Sequence, residues 1–119
     1  MPYVDGFVVP VPKNNIDAYR DMSVKCGHIW REHGALEYRE FIADDVKPGK
    51  LTSFPQSVDL KDDEVVVFSY IVYASRAERD RVNDAVMSDP RMKDMMDPEG
   101  MPFDGKRLIY GGFENLVDM

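Results

Sequence analysis

The sequence predicts an α+β fold, a four-stranded antiparallel sheet built in the order βαββαβ with both helices on one side. Three observations predict it. Tyr3–Val11 and Glu64–Ala74 are apolar at odd and even positions alike, the pattern of strands covered on both faces. Leu36–Asp44 and Lys106–Val117 are more polar and suit the edges of a sheet. Between these runs, two segments change to a helical period and carry start signals.

In the first strand Tyr3, Asp5, Phe7, Val9 and Val11 alternate with Val4, Gly6, Val8 and Pro10. Pro12 and the Asn14-Asn15 pair end it, and either asparagine suits the cap of the next helix. From Ile16 to His33 one broad helical face carries Ile16, Tyr19, Met22, Cys26, Ile29, Trp30 and His33. Gly34 then stands where a left-handed C-cap is wanted. Gly27 inside this helix costs about 1 kcal/mol relative to alanine, which a close backbone contact would explain.

In the second strand Leu36, Tyr38 and Ile42 oppose Glu37, Arg39 and Phe41. Residues 45–64 are long for a loop and predict a short extra strand or an arm-like excursion. EVVVFSYIVYA, Glu64–Ala74, is the strongest strand, β-branched and aromatic on both faces. Ser75-Arg76-Ala77-Glu78 is a capping box that opens a helix through about Ser88. Asp89 caps a further short helix with Pro90 at its first position, and Met92, Met95 and Met96 share one side. Pro98-Glu99-Gly100 and Phe103-Asp104-Gly105 read as turns. Gly111-Gly112 in the last strand suggests a bulge or a close backbone approach.

This order is the ferredoxin-like arrangement, in which the first and third strands lie centrally; here they are also the most apolar. Two helices cover one face of such a sheet, yet both central strands are apolar on two faces. A second copy of the sheet is the expected cover. The prediction is therefore a two-fold homodimer, sheet against sheet, of one domain spanning 1–119, with the 45–64 excursion reaching around the partner.

Of 119 residues, 15 are Lys or Arg and 22 are Asp or Glu, a net charge of −7 that argues against nucleic acid as a partner. The longest apolar run, Val65–Ala74, is too short to cross a membrane as a helix. Cys26 is the single cysteine, which excludes an internal disulfide and fits a reducing compartment. With no leader-like opening, a cytoplasmic location is expected. No G-x-S-x-G, H-E-x-x-H, phosphate loop or dinucleotide fingerprint occurs, so neither a cofactor nor a metal is expected. Asp62-Asp63-Glu64 reads as a solvated turn rather than a metal site.

The candidate binding residues are Trp30, His33, Tyr38 and Tyr110, placed around a cleft between the first helix and the sheet. His33 shares the apolar helix face, and histidine as a residue type, with an unperturbed pKa of about 6.5, suits a general base or a ligand donor. A partly buried histidine closing the helix end is the plainer reading. His28 falls on the opposite face. Cys26 and His33 are separated by roughly 10.5 Å of helix rise, too far for a thiolate–imidazole pair, so Cys26 reads as a small hydrophobe. Met87, Met92, Met95, Met96 and Met101 form either an adaptable pocket wall or filler between the short helix and the sheet. Arg39, Glu40, Arg107 and Glu114 read as edge or interface ion pairs.

The run VVFSYIVYASRAERDRVNDAVMSDPRM, Val66–Met92, with MPFDGKRLIYGGFE, Met101–Glu114, resembles the YbaA-like family of bacterial proteins. YVDGFVVPVP at Tyr3–Pro12 and WREHGAL at Trp30–Leu36 match it too. The resemblance implies a dimeric α/β barrel of ferredoxin-like fold and carries no reaction with it. Two functional readings follow from the sequence. One is a dimer that binds a small molecule in the helix–sheet cleft; the other is a non-catalytic dimer acting through its surface or a partner protein.

Overall fold

The computed structural model describes residues 1–97 and 99–119; Pro98 of the first expected turn lies outside the described residues. The strands are β1 (Tyr3–Pro12), β2 (Glu37–Ile42), β3 (Glu64–Tyr73) and β4 (Ile109–Glu114). The helices are α1 (Ile16–His33), α2 (Phe54–Ser57), α3 (Arg76–Met87) and α4 (Pro90–Met95). The sheet is antiparallel in the order β2-β3-β1-β4, so the two most apolar strands are central and the two more polar ones lie at the edges. The β1–β3 ladder runs unbroken from Tyr3 opposite Tyr73 to Pro12 opposite Glu64.

Local signals account for the starts of α3 and α4 and the end of α1. Ser75 Oγ accepts from the Glu78 backbone N–H at 3.1 Å, and Asp89 Oδ1 accepts from that of Arg91 at 3.0 Å. Gly34 closes α1 at φ +123°, a conformation that disfavours side chains. Glu78 does not complete the capping box, because its carboxylate binds the Arg81 guanidinium at 2.7 Å. Asn15 holds the N-cap position of α1 but does not cap it through its side chain. The chain enters through a 3₁₀ turn at Lys13–Asn15, and the Asn15 amide donates to the Pro102 carbonyl at 3.0 Å.

β4 is shorter than the predicted Lys106–Val117 run. Arg107 is drawn to Glu64 and Asp104, so pairing with β1 begins only at Ile109. No bulge marks Gly111-Gly112, since the β1–β4 register is continuous. At Gly112 the reason is space, because a Cβ there would meet the Tyr3 hydroxyl and the Arg79 guanidinium. The 45–64 excursion holds a single-turn helix, α2, instead of an extra strand.

The two sheet faces are covered differently. On the inner face Tyr3, Ile71 and Tyr73 pack with Ile29 of α1, Val82 and Val86 of α3 and Met92 of α4. Val9, Val11 and Val67 pack with Tyr19 of α1. On the outer face only one end is covered, where Val58 from the excursion buries Val8 and Val66. The rest of that face presents Phe41, Phe68, Ile109 and Phe113, each between 43% and 63% exposed.

Candidate functional site

Between α1, the α3–α4 segment and the inner sheet face lies a cleft of about 460 Å³. Phe7, Val9 and Ile71 form its sheet side, and Met22 and Cys26 of α1 join them. The opposite wall carries Met87, Met92, Met95, Met96 and Met101, so all five clustered methionines face one space. Phe7 stacks on Tyr110 at 6.1 Å between ring centroids, and Trp30 lies 6.1 Å from Tyr38. Apolar walls with few polar groups are the usual make-up of a small-molecule site.

Those polar groups gather at two poles. At the first, Asp5 is buried at 6% exposure and accepts from Arg79 Nε at 3.1 Å. The guanidinium carbon stands 5.0 Å from the Tyr3 ring centroid, a cation–π contact. Beside it Asn83 Oδ1 accepts from the Tyr73 hydroxyl at 3.2 Å and from Trp30 Nε1 at 3.3 Å. A charge in an apolar strand needs such a partner.

The second pole is Glu40. The Tyr19 and Ser23 hydroxyls of α1 both donate to its carboxylate, and the Tyr38 hydroxyl lies 3.4 Å from Oε2 and 3.3 Å from Ser23 Oγ. Burial pushes the Glu40 carboxyl above its ordinary value, while the hydroxyls of Tyr19, Tyr38 and Ser69 pull it back only in part. Burial, then the Glu40 charge, raises the Tyr19 and Tyr38 phenols, and the same two causes push the Cys26 thiol up to about 11. Gly27 makes the arrangement fit. A Cβ there would stand 2.9 Å from the Tyr38 ring, so the close contact is with a side chain rather than with backbone. On the far side of Glu40 lies a second groove of about 410 Å³, bordered by Arg20, Ser23, Gly27 and His28.

Of the four residues expected around the cleft, Trp30, Tyr38 and Tyr110 line it. His33 is placed elsewhere. Its Nε2 lies 2.9 Å from Asp89 Oδ2, so the last turn of α1 directs it to the cap of α4 rather than to the sheet. The plainer reading of His33, a partly buried histidine at the helix end, describes that position. Glu40 is not an edge ion pair either. Arg39 binds Glu37 at 3.0 Å on the exposed side, and alternation turns Glu40 inward beside Tyr38. Glu64, read as part of a solvated turn, has a side chain only 3% exposed and paired with Arg107. Among the described residues, no three His, Cys, Asp or Glu side chains converge as metal ligands. No helix among them is long and apolar enough to cross a membrane.

Residues 2–105 match the family described as "Protein of unknown function (DUF1428)". The chain belongs to the DUF1428 family. Among its relatives is the "Uncharacterized protein YbaA" of Escherichia coli (strain K12), 52% identical over 118 residues and covering 99% of each chain. The protein of the same name from Shigella flexneri shows the same identity and coverage. A solved "dimeric ferredoxin-like protein" from an uncultured marine organism shares the fold with this DUF1428 chain. Its TM-score is 0.51 at 12% identity, over 100% of this chain and 98% of that one.

Proposed function

We propose that this DUF1428 protein is a homodimer that binds a small, mainly apolar molecule in the cleft between α1, α4 and the inner face of the sheet. The observation that carries the reading is the cleft itself. It has a methionine and aromatic lining, about 460 Å³ of space, and polar groups gathered mainly at the Asp5–Arg79–Asn83 pole and the Glu40 pole. Such a ligand is held by burial of apolar surface and oriented by one or two hydrogen bonds. Trp30, Tyr38 and Tyr110 are its contact residues, and His33 is not one.

The dimer reading rests on the outer sheet face, where Phe41, Phe68, Ile109 and Phe113 form an apolar surface beside the excursion. A face of this kind is covered in most soluble proteins. The marine protein of ferredoxin-like fold is a dimeric one as well. A cytoplasmic setting is consistent with Cys26 as the one cysteine of the chain. The second reading, a dimer acting through its surface alone, predicts a cleft that takes up nothing.

A thermal-shift screen against a library of small metabolites tests the choice, because a ligand that binds only the folded state raises its stability by mass action. Stabilisation by apolar members, lost in Met92→Lys, is the expected result. A library without effect would leave the surface reading. Light scattering tests the assembly: twice the 13.7 kDa chain mass is expected, with monomers from Phe68→Glu.

A further inference from the structure

The Glu40 pole has more chemistry than ligand orientation requires. Glu40 borders both the cleft and the outer groove. Hydroxyls from Tyr19, Ser23 and Tyr38 already occupy both oxygens, which leaves little room for the several donors of a ligand ammonium. A proton needs only one lone pair. The groups in hydrogen-bond contact with the carboxylate are neutral hydroxyls, those of Tyr19, Ser23 and Tyr38, with the Cys26 thiol nearby. A desolvated carboxylate ringed by neutral hydroxyl donors is a base paired with the groups that stabilise a developing oxyanion.

We propose that Glu40 is an acid–base catalytic residue that takes the α-proton of a neutral, apolar carbonyl compound bound in the cleft, with Tyr38 as the oxyanion donor. The proposal rests on the cleft being a small-molecule site. In the step, the C–H bond breaks and its proton forms an O–H bond on Glu40. The C–H electron pair becomes the enolate C=C bond, and the carbonyl π pair moves onto oxygen, where the Tyr38 hydroxyl donates to it. Return of the proton to carbon regenerates the carboxylate. The sum is proton exchange or a 1,3-shift and needs no oxidant or co-reactant. The long Tyr38–Glu40 contact of 3.4 Å is one the hydroxyl gives up readily in favour of an enolate. The groove beyond Glu40 lets the captured proton exchange with water. A net charge of −7 favours neutral substrates over anionic ones.

The probes are α-tetralone, a neutral bicyclic ketone, and its analogue with both α-hydrogens replaced by methyl groups. Quenching of Trp30, the single tryptophan and a cleft residue, reads binding of either probe. Proton NMR in heavy water reads loss of the α-hydrogens. The expected result is that both ketones bind and that the protein accelerates exchange about a hundredfold over buffer. Glu40→Gln binds both with exchange at the buffer rate, and Tyr38→Phe binds both with part of the acceleration. The rate rises with pH through an inflection above the ordinary glutamate value of about 4.3. The titratable groups facing Glu40 are Tyr19 and Cys26 from α1 and Tyr38 from β2, with Arg20 and His28 across the groove; the raised phenols and thiol stay protonated through that inflection.

Binding of both ketones with no acceleration, or with acceleration kept in Glu40→Gln, overturns the role of Glu40 and leaves the cleft reading standing. Binding of neither ketone overturns both. Should Glu40→Gln fail to fold, the wild-type profile decides, and a rate with no inflection above the ordinary glutamate value overturns the proposal.

Discussion

Arg107 and Glu64 make a largely buried ion pair, and removing either partner has unequal effects. The two nitrogens of Arg107 meet the two carboxylate oxygens of Glu64, with Nη1–Oε1 at 2.7 Å. The side chains are 17% and 3% exposed. Arg107 also donates to the carbonyls of Val58 and Asp59, tying the excursion to the chain before β4. Arg107→Met leaves the Glu64 carboxylate buried with no charged partner in contact and only the Lys61 backbone N–H, at 2.8 Å, as donor, at a cost of about 3 kcal/mol. Glu64→Gln keeps a partner for the guanidinium in Asp104, so the loss is about 1 kcal/mol, the scale of one hydrogen bond.

The pH dependence separates the two variants further. The Arg107 hydrogen bonds, chiefly, hold Glu64 below its ordinary value in the folded protein. In the wild type the pair therefore stabilises fully above the unfolded value of about 4.3 and progressively less as pH falls through the lower folded value. In Arg107→Met burial becomes the largest remaining influence and outweighs the Lys61 N–H, so the sign reverses: the carboxyl is raised and its penalty falls on protonation. The gap between wild type and Arg107→Met should thus be widest near neutrality and shrink toward pH 4 (about the unfolded value). Urea denaturation followed by Trp30 fluorescence, at one fixed protein concentration, measures both. An Arg107→Met loss no larger than that of Glu64→Gln, or one independent of pH, would refute the reasoning.

Three other outcomes are expected. Ser75→Ala should lower stability by about 1 kcal/mol by removing the cap oxygen from the Glu78 N–H, as read by chemical denaturation. Gly34→Ala should cost about 1–2 kcal/mol in the same assay, since φ is +123° and the new Cβ also crowds Arg81. His33→Ala should lower the melting temperature without changing Trp30 quenching by a cleft ligand, because His33 meets Asp89 instead of the cleft; a weakened ligand would return it to the site.

The sheet was legible because two-faced apolarity distinguishes central strands from edge strands without any knowledge of contacts. Helix ends were legible where the signal was local, as at Ser75, Asp89 and Gly34. Tyr38 and Tyr110 were legible as cleft residues, whereas His33 was not. Helical phase places His33 with Trp30, but at the last turn the neighbour is Asp89, 56 positions away in sequence. Glu40 was hidden for a related reason. Alternation groups it with Tyr38, yet a carboxylate on a polar edge strand reads as solvated until Tyr19 and Ser23 of α1 are seen against it. Asp5 carries a signal that sequence reasoning missed, since a charge amid buried positions of a central strand implies a partner, and Arg79 is that partner.

The two sides of the cleft are built to different standards of rigidity, and that difference bears on the proposed binding reading. The sheet side is fixed: β1 pairs along its whole length with β3, and Asp5, Ser69 and Tyr73 project from central strands. α1 is seated on that side through the Gly27–Tyr38 contact, which brings the Glu40 hydroxyl shell into place. Across from it, α4 has six residues, too few to be stable as a helix alone. It is held by buried Met92, by the part-buried hydrogen bond between His33 and Asp89 and by the surface ion pair of Arg91 with Glu32. Unbranched thioether side chains on so short a helix repack around differing shapes at little cost. On the small-molecule reading proposed above, polar positions on the rigid side would set which functional group is accepted, while the methionine wall would admit a range of carbon skeletons. That is the division expected of a site whose selectivity lies in the reacting group and not in the outline of the molecule.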